Sequence, residues 1–258
     1  MKRRQFVELN DLDWWPAMLR AHLTDYLRTV VEKLEPFSLR IDLFVAALRQ
    51  SGGSRIVDLC SGSGGPWPHL RPALEASVGG PVQVTLCDQF PPPLPERQAL
   101  GKAGLMFWPE PVDIRALPGG LQGVRTIFDA LHHFTPAEAR AILQDAVVQG
   151  QPIMVFELLN RSFIDLIFMS LSPVLILLLT PFIRPFRWSR LVFTYLLPIS
   201  LLAIVYDTLI STLRCYSPRE LLALTEELTG EKYLWQAGRY RVKGAPVTYL
   251  AGWPAGKE

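Results

Sequence analysis

The residues whose types and spacing could do chemistry gather in three places. The first is Val57-Asp58-Leu59-Cys60-Ser61-Gly62-Ser63-Gly64-Gly65, an apolar run that ends in a glycine-rich turn. Glycines let backbone approach a ligand closely, and the helix start that follows offers free amide donors. The second is Asp88, which closes the next apolar run 24 residues after Gly64. A carboxylate there is placed to hold both hydroxyls of a ribose, so the pair reads as a nucleoside grip. The plain alternative is a structural turn. The third is a set of possible bases: Asp129, His132, His133 and Glu157. The histidines precede a helix and either take a proton or divide packing and capping between them. Glu157 faces a substrate or pairs with Arg161. Asp129 is a cofactor-orienting turn residue or a base.

A β/α series must position these groups. Short apolar runs at Arg55–Cys60, Val82–Leu86, Leu105–Trp108, Val124–Phe128 and Pro152–Phe156 are separated by helix-length segments. That alternation predicts a parallel sheet with helices on both faces. Thr135-Pro136-Ala137-Glu138 and Ser217-Pro218-Arg219-Glu220 are capping boxes that start helices. Tyr233–Val242 and Pro246–Leu250 predict a terminal antiparallel pair, and residues 1–50 read as helices.

On these motifs the chain resembles the class I S-adenosylmethionine-dependent methyltransferases. Asp58-Leu59-Cys60-Ser61-Gly62-Ser63-Gly64 is similar to the family's acid followed by G-x-G-x-G, with Cys60 where the first glycine stands. Asp129-Ala130-Leu131-His132-His133 is similar to its segment after the fourth strand. The likeness covers about 55–160 and resumes at 216–250. It implies S-adenosylmethionine as cofactor, with Asp58 and the backbone of Cys60, Ser61, Gly62 and Gly64 around the methionine part. It implies Asp88 on the ribose, Gln89 and Phe90 beside the adenine, Asp113 and Ile114 at the adenine edge, and Asp129 nearby. Trp14 and Tyr26 precede the core, where the family's N-terminal helices often roof the substrate; packing is the plainer reading for each. The dinucleotide pattern G-x-G-x-x-G fits less well, because the third glycine is missing.

Composition removes other classes. With 26 Lys+Arg against 24 Asp+Glu the net charge is +2, which speaks against a nucleic-acid partner. Three cysteines without CxxC spacing give no disulfide framework and no metal signature, and a reducing compartment is the simpler assumption. The basic N-terminus has no apolar run behind it and does not read as a secretory signal.

The unusual segment is Phe163 to Leu213, whose only charges are Asp165, Arg184, Arg187, Arg190 and Asp207. Ser162–Ile183 and Leu191–Leu213 each approach the length of a bilayer span, although Pro173, Pro181 and Pro198 interrupt them. The turn Arg184-Pro185-Phe186-Arg187-Trp188-Ser189-Arg190 suits a headgroup region. Three readings stand open: insertion into a membrane surface, a lid or homodimer surface, and full spanning. Asp207 either pairs with a cation such as Arg214 or faces a polar substrate.

The expectation is therefore a Rossmann-like, mostly parallel seven-stranded α/β sheet. It comprises an N-terminal helical cap (1–54), a core (55–160 and 216–258) and an apolar two-helix insert (161–215). The expected activity is methyl transfer to a small, lipophilic acceptor through an O, N or S nucleophile, with no metal and no nucleic acid. The expected place is the cytoplasm or the cytoplasmic face of a membrane. The rivals are a non-catalytic cofactor-binding scaffold and a protein or RNA methyltransferase.

Overall fold

The computed structural model describes residues 2–255. In chain order its strands are β1 (Arg55–Leu59), β2 (Gln83–Cys87), β3 (Met106–Phe107), β4 (Val124–Phe128), β5 (Ile153–Glu157), β6 (Tyr233–Val242) and β7 (Ala245–Pro254). Helices α1 (Ala17–Leu34) and α2 (Ile41–Ser51) precede the sheet, and α3 (Trp67–Val78), α4 (Leu94–Lys102) and α5 (Pro136–Val148) lie between strands. Among the described residues the seven strands form one sheet in the order β3-β2-β1-β4-β5-β7-β6. The pairs among β1–β5 are parallel, and β7 runs antiparallel to both β5 and β6. This is the expected Rossmann-like α/β fold. The chain walks outward from β1 to β3, then returns to β4 on the other side of β1. The strand order therefore reverses between β1 and β4, and it is outside the carboxyl ends at such a switch point that open α/β sheets bind ligands.

Each sheet face carries its own apolar core. One holds Phe37, Phe44, Trp67 and Phe156, with the Phe44 and Phe156 rings stacked 5.3 Å apart. The other holds Leu59, Ile127, Leu143, Val155 and Leu221. Both capping boxes form as the sequence predicts. Thr135 Oγ1 accepts the Glu138 amide at 3.3 Å while Glu138 Oε2 accepts the Thr135 amide at 2.9 Å. Ser217 and Glu220 do the same at the start of α10 (Pro218–Thr225).

The insert departs from a two-helix expectation. It is broken into α6 (Phe163–Ser170), α7 (Ser172–Leu179), α8 (Trp188–Leu191) and α9 (Ile199–Arg214), with a π-helical turn at Val192–Leu196 between the last two. Proline explains the breaks: Pro181 sits in the turn after α7, and Pro198 caps α9 without an amide proton to continue the preceding turn. Among the described residues no single helix is long and apolar enough to cross a membrane, and Trp188–Leu196 meets Ile199–Arg214 at 81°.

The arginines of the connecting turn are not a solvent-facing group either. Arg187 and Arg190 both turn inward to Asp25 on α1, Arg187 at 3.0 Å, and Asp25 is 0% exposed. Arg187 also pairs with Glu96, and Arg184 alone of the three stays exposed. Beside this triad His22 lies between Ser200 Oγ (2.8 Å) and Ser189 Oγ (3.0 Å). Burial, then Arg190, pushes His22 down to about 4, so it is neutral at pH 7. A third apolar cluster, Leu23, Tyr26, Ile176, Ile183 and Ile204, completes the joint between α1 and the insert.

Candidate active site

The loop after β1 turns through left-handed backbone at Cys60 (φ 59°), Gly62 (50°), Gly64 (96°) and Gly65 (49°). Glycine adopts this region without cost; Cys60 does not. Ser61 ties the loop to the end of β2. Its Oγ donates to the Asp58 carbonyl at 2.8 Å and accepts the Cys87 amide at 3.2 Å. Asp58 lies buried beneath, its Oδ1 accepting the Thr126 hydroxyl from β4 at 2.6 Å. Burial outweighs that bond and raises Asp58 to about 7. Cys87 is a buried packing group, its thiol raised by burial, and all three cysteines are free.

Asp88 stands at the tip of β2, half-buried. Its Oδ2 accepts the Gly62 amide and its Oδ1 the Phe90 amide, each at 2.8 Å. An ionised carboxylate offers about four lone-pair sites, so these two bonds fix its plane and leave capacity on each oxygen. Burial raises its pKa, with the two amides acting in the opposite direction. Gln89 is exposed beside it, and the Phe90 ring lies 3.8 Å under the Arg20 guanidinium. Ile114 is buried, and the Asp113 carboxylate is held by Arg115 at 2.7 Å.

The carboxyl ends of β4 and β5 carry the second cluster. Glu157 accepts both the His132 backbone amide (Oε1, 3.0 Å) and its ring Nδ1 (Oε2, 2.7 Å). That bond assigns the proton to Nδ1 and leaves the Nε2 lone pair without a hydrogen-bond partner, 3.7 Å from Glu8 Oε1. Burial, then the neighbouring charge of His133, pushes His132 down to about 3, so the ring is neutral at pH 7. Burial raises both Glu157 and Asp129. Asp129 (φ 50°) accepts the Leu158 amide and so joins the ends of β4 and β5. His133 Nδ1 lies 2.6 Å from Asp11 Oδ1. Burial opposes its protonation, but Glu8 and Asp11 outweigh burial and lift it to about 9.

Four expectations are corrected here. Glu157 does not pair with Arg161, which reaches Glu220 at 2.6 Å instead. Asp207 neither pairs with Arg214 nor faces a substrate. It accepts the amides of Leu9 (2.7 Å) and Asn10 (3.1 Å), fixing the N-terminal segment against α9. Trp14 is 71% exposed, with Trp15 edge-on beside it, so it stands at the surface and does not roof a site. Tyr26 is buried in the apolar joint between α1 and the insert, where it packs with Leu23, Ile176, Ile183 and Ile204.

The sequence reading missed Glu8, Asp11 and Arg20, and gave Arg214 the wrong partner. Arg214 spans Asp11 at 2.6 Å, Glu8 at 3.3 Å and the His132 carbonyl at 3.0 Å. Glu8, His132 and His133 bring metal-ligand atoms together, but Arg214 already supplies the positive charge between the carboxylates. Arg3 donates to the carbonyls of His132 and Phe134 at 3.1 and 2.9 Å, and Arg20 to those of Asn10 and Leu12. Residues 3–12 thus form a strap laid beside the cluster. A signal was present in the acids at 8, 11 and 13 ahead of the first helix, but nothing local says what they face.

No protein-family model matches the chain, and no curated protein matches it in sequence. Among solved structures it is similar to a mitomycin 7-O-methyltransferase, at 20% identity over 85% of this chain and 54% of that one, with a TM-score of 0.45. It is also similar to an O-methyltransferase family protein from Burkholderia thailandensis (13%, 96% and 59%, TM-score 0.44). A third is the magnesium protoporphyrin IX methyltransferase of Synechocystis PCC 6803 (12%, 84% and 83%, TM-score 0.44). The chain spans a little over half the length of the first two. The fold assignment stands on the strand order and not on these likenesses.

Proposed function

We propose that this chain is an S-adenosylmethionine-dependent methyltransferase acting on a small, lipophilic acceptor. The observation that carries the reading is the Asp88 carboxylate. It is clamped flat by the Gly62 and Phe90 amides at the tip of β2, with lone pairs left for two hydroxyl donors. A carboxylate raised by burial is under-satisfied, and a ribose diol supplies the donors it lacks. The loop fits too: a Cβ on Gly65 would meet no atom, and one on Gly62 only Thr24 at 3.9 Å.

When bound, S-adenosylmethionine supplies a methyl group already activated on a sulfonium. The chain's own work is alignment, exclusion of water and custody of one proton. Glu157 orients His132 through two hydrogen bonds and holds the Nδ1 proton. Nε2 is then free to take the proton of an O–H, N–H or S–H acceptor as that atom gains the methyl group. The resulting imidazolium lies between Glu157 and Glu8, and both carboxylates stabilise it. A lipophilic acceptor is favoured because α9, which carries Asp207 and Arg214 against the strap, exposes Leu202 and Leu209 to the outside.

Isothermal titration with S-adenosylmethionine and with its demethylated product tests the reading. Wild-type protein is expected to bind both and Asp88→Ala to bind each at least about tenfold more weakly; silence from the wild type overturns it. Labelled methyl transfer to a lipid extract then separates an enzyme from a protein that only binds the cofactor.

A further inference from the structure

The insert is amphipathic in the reverse of the usual sense for a protein in water. Its polar side chains face the protein: Arg190, Thr194, Ser200, Asp207 and Thr212 are all buried. Its large apolar side chains face outward. At the N-cap of α7 and along it, Leu171, Val174, Leu175 and Leu178 share one helical face, at the spacing i, i+3, i+4, i+7. On α9, Ile199, Leu202, Tyr206 and Leu209 share one face at the spacing i, i+3, i+7, i+10. Phe182 and Trp188, which bracket Arg184, are 72% and 74% exposed. Burying polar groups and exposing leucines costs free energy in water, and this many apolar side chains on one region marks a surface made for contact.

We propose that this outward face seats the protein on the surface of an anionic lipid bilayer, without crossing it. Charge and aromatic placement choose the bilayer over a second copy of the chain. From residue 166 to 206 there are three arginines and no acid. Arg187 and Arg190 are spent on Asp25, which leaves Arg184 exposed among Phe182, Phe186 and Trp188. A second copy would bring Arg184 no carboxylate from this stretch, whereas lipid phosphate supplies the anion it lacks. Tryptophan and tyrosine beside arginine is the composition of a membrane–water boundary, and Tyr195 and Tyr206 extend that rim. The proline-broken helices explain the depth. None is long and apolar enough to cross, and the 81° bend between Trp188–Leu196 and Ile199–Arg214 suits segments that lie along an interface. The inward face of the insert stays fixed to α1 through Asp25, so seating requires no unfolding. Docking does not depend on methyl transfer, and its test uses no cofactor.

The test is co-sedimentation of the full chain with phosphatidylcholine vesicles, with and without phosphatidylglycerol, read beside light scattering of the free protein. The protein is expected to sediment with both. Binding should be about fivefold stronger on the anionic vesicles, the gain from one arginine near a charged surface. Arg184→Gln should remove that difference and keep the rest. Leu178→Asp and Leu202→Asp, at exposed positions where the fold does not depend on the leucine, should cut binding to both by at least about tenfold. Unchanged circular dichroism would show that these variants remain folded. Absence of sedimentation with either vesicle overturns the proposal. So does a stable dimer that leaves vesicles alone and that Leu202→Asp dissociates.

Discussion

The Asp88 carboxylate, at the tip of β2, accepts the amide proton of Gly62, in the loop after β1, at 2.8 Å. One side chain therefore shapes the glycine loop and keeps acceptor capacity on each oxygen. Asp88→Ala is expected to weaken S-adenosylmethionine binding by at least about tenfold, the loss of charged hydrogen bonds to two hydroxyls. It should also destabilise the protein by about 1–3 kcal/mol, because the Gly62 and Phe90 amides lose their acceptor. Asp88→Asn should not rescue binding, since an amide N–H would face one of those donors. Calorimetric titration and urea melts check both parts; full affinity in Asp88→Asn would remove the assigned role.

Glu157 and His132 make a sharper pair of variants. The carboxylate accepts two N–H groups from one residue on its two separate oxygens, and in an amide one of those positions becomes an NH2 donor. In Glu157→Gln the amide either forces the ring proton from Nδ1 to Nε2 or releases the ring. Either outcome removes the base. His132→Ala is expected to lower kcat by about 10²–10⁴-fold. Glu157→Gln should lower it by at least about tenfold with KM little changed. Steady-state kinetics on the purified protein decides; a melting temperature that falls while kcat holds would mean that the pair is structural only.

Part of this site is legible along the chain and part is not, for a physical reason. The glycine turn, Asp88, the histidine pair and both capping boxes are local: each is a short motif whose partners lie within a few residues or at the end of the next strand. Asp25 gives no such sign. Its place in α1 suits an ordinary charged helix face, and only the packing of α1 on the insert brings Arg187 and Arg190 to it from 162 and 165 residues away. Likewise an apolar run such as Leu191–Leu213 says that leucines need a partner, not whether it is protein or lipid. Its one proline, Pro198, and not its hydropathy, holds the information that it breaks.

His133 gives the protein a pH dependence with a defined sign. Its folded pKa, about 9, lies above the ordinary value of 6.5. The stability it contributes is therefore fully present below pH 6.5 and is lost as pH rises through about 9, by roughly 2 kcal/mol for a ring that is 27% exposed. His132 works in the other direction: folded at about 3, it withdraws stability as pH falls below 6.5. In urea melts these two rings together favour a stability maximum near pH 6.5, whereas Asp58, raised to about 7, withdraws stability as pH rises from about 4 to 7. His133→Gln should flatten the alkaline side alone; an unchanged alkaline slope would show that another group carries it.

Asp25 with Arg187 and Arg190 is a buried ion triad joining α1 to the insert. Removing only the acid leaves the buried Arg190 guanidinium without a carboxylate and Arg187 with Glu96 alone. Asp25→Ala is expected to cost about 3–5 kcal/mol and to open residues 161–215 to limited proteolysis. Replacing all three with leucine and methionines restores packing without buried charge and should recover most of that loss. If the triple variant is as unstable as the single one, the joint depends on the ion pairs themselves and not on volume.

Cys60 allows the backbone of the loop to be tested apart from any ligand. It stands at φ 59°, where an L-residue carries strain of about 1 kcal/mol or more. Glycine relieves that strain but gives the unfolded chain more freedom, which offsets it by about 0.5–1 kcal/mol. Cys60→Gly should therefore melt within about 1 kcal/mol of the wild type and keep its cofactor affinity. A β-branched side chain is the worst fit to left-handed backbone, so Cys60→Val should lose about 2 kcal/mol or more and distort the loop that Asp88 grips. The contrast isolates conformation from chemistry, because neither variant has a thiol. Equal melting and equal affinity in the two would mean that the loop does not need left-handed backbone at position 60, and the match of Cys60 to a glycine site would lose its physical basis.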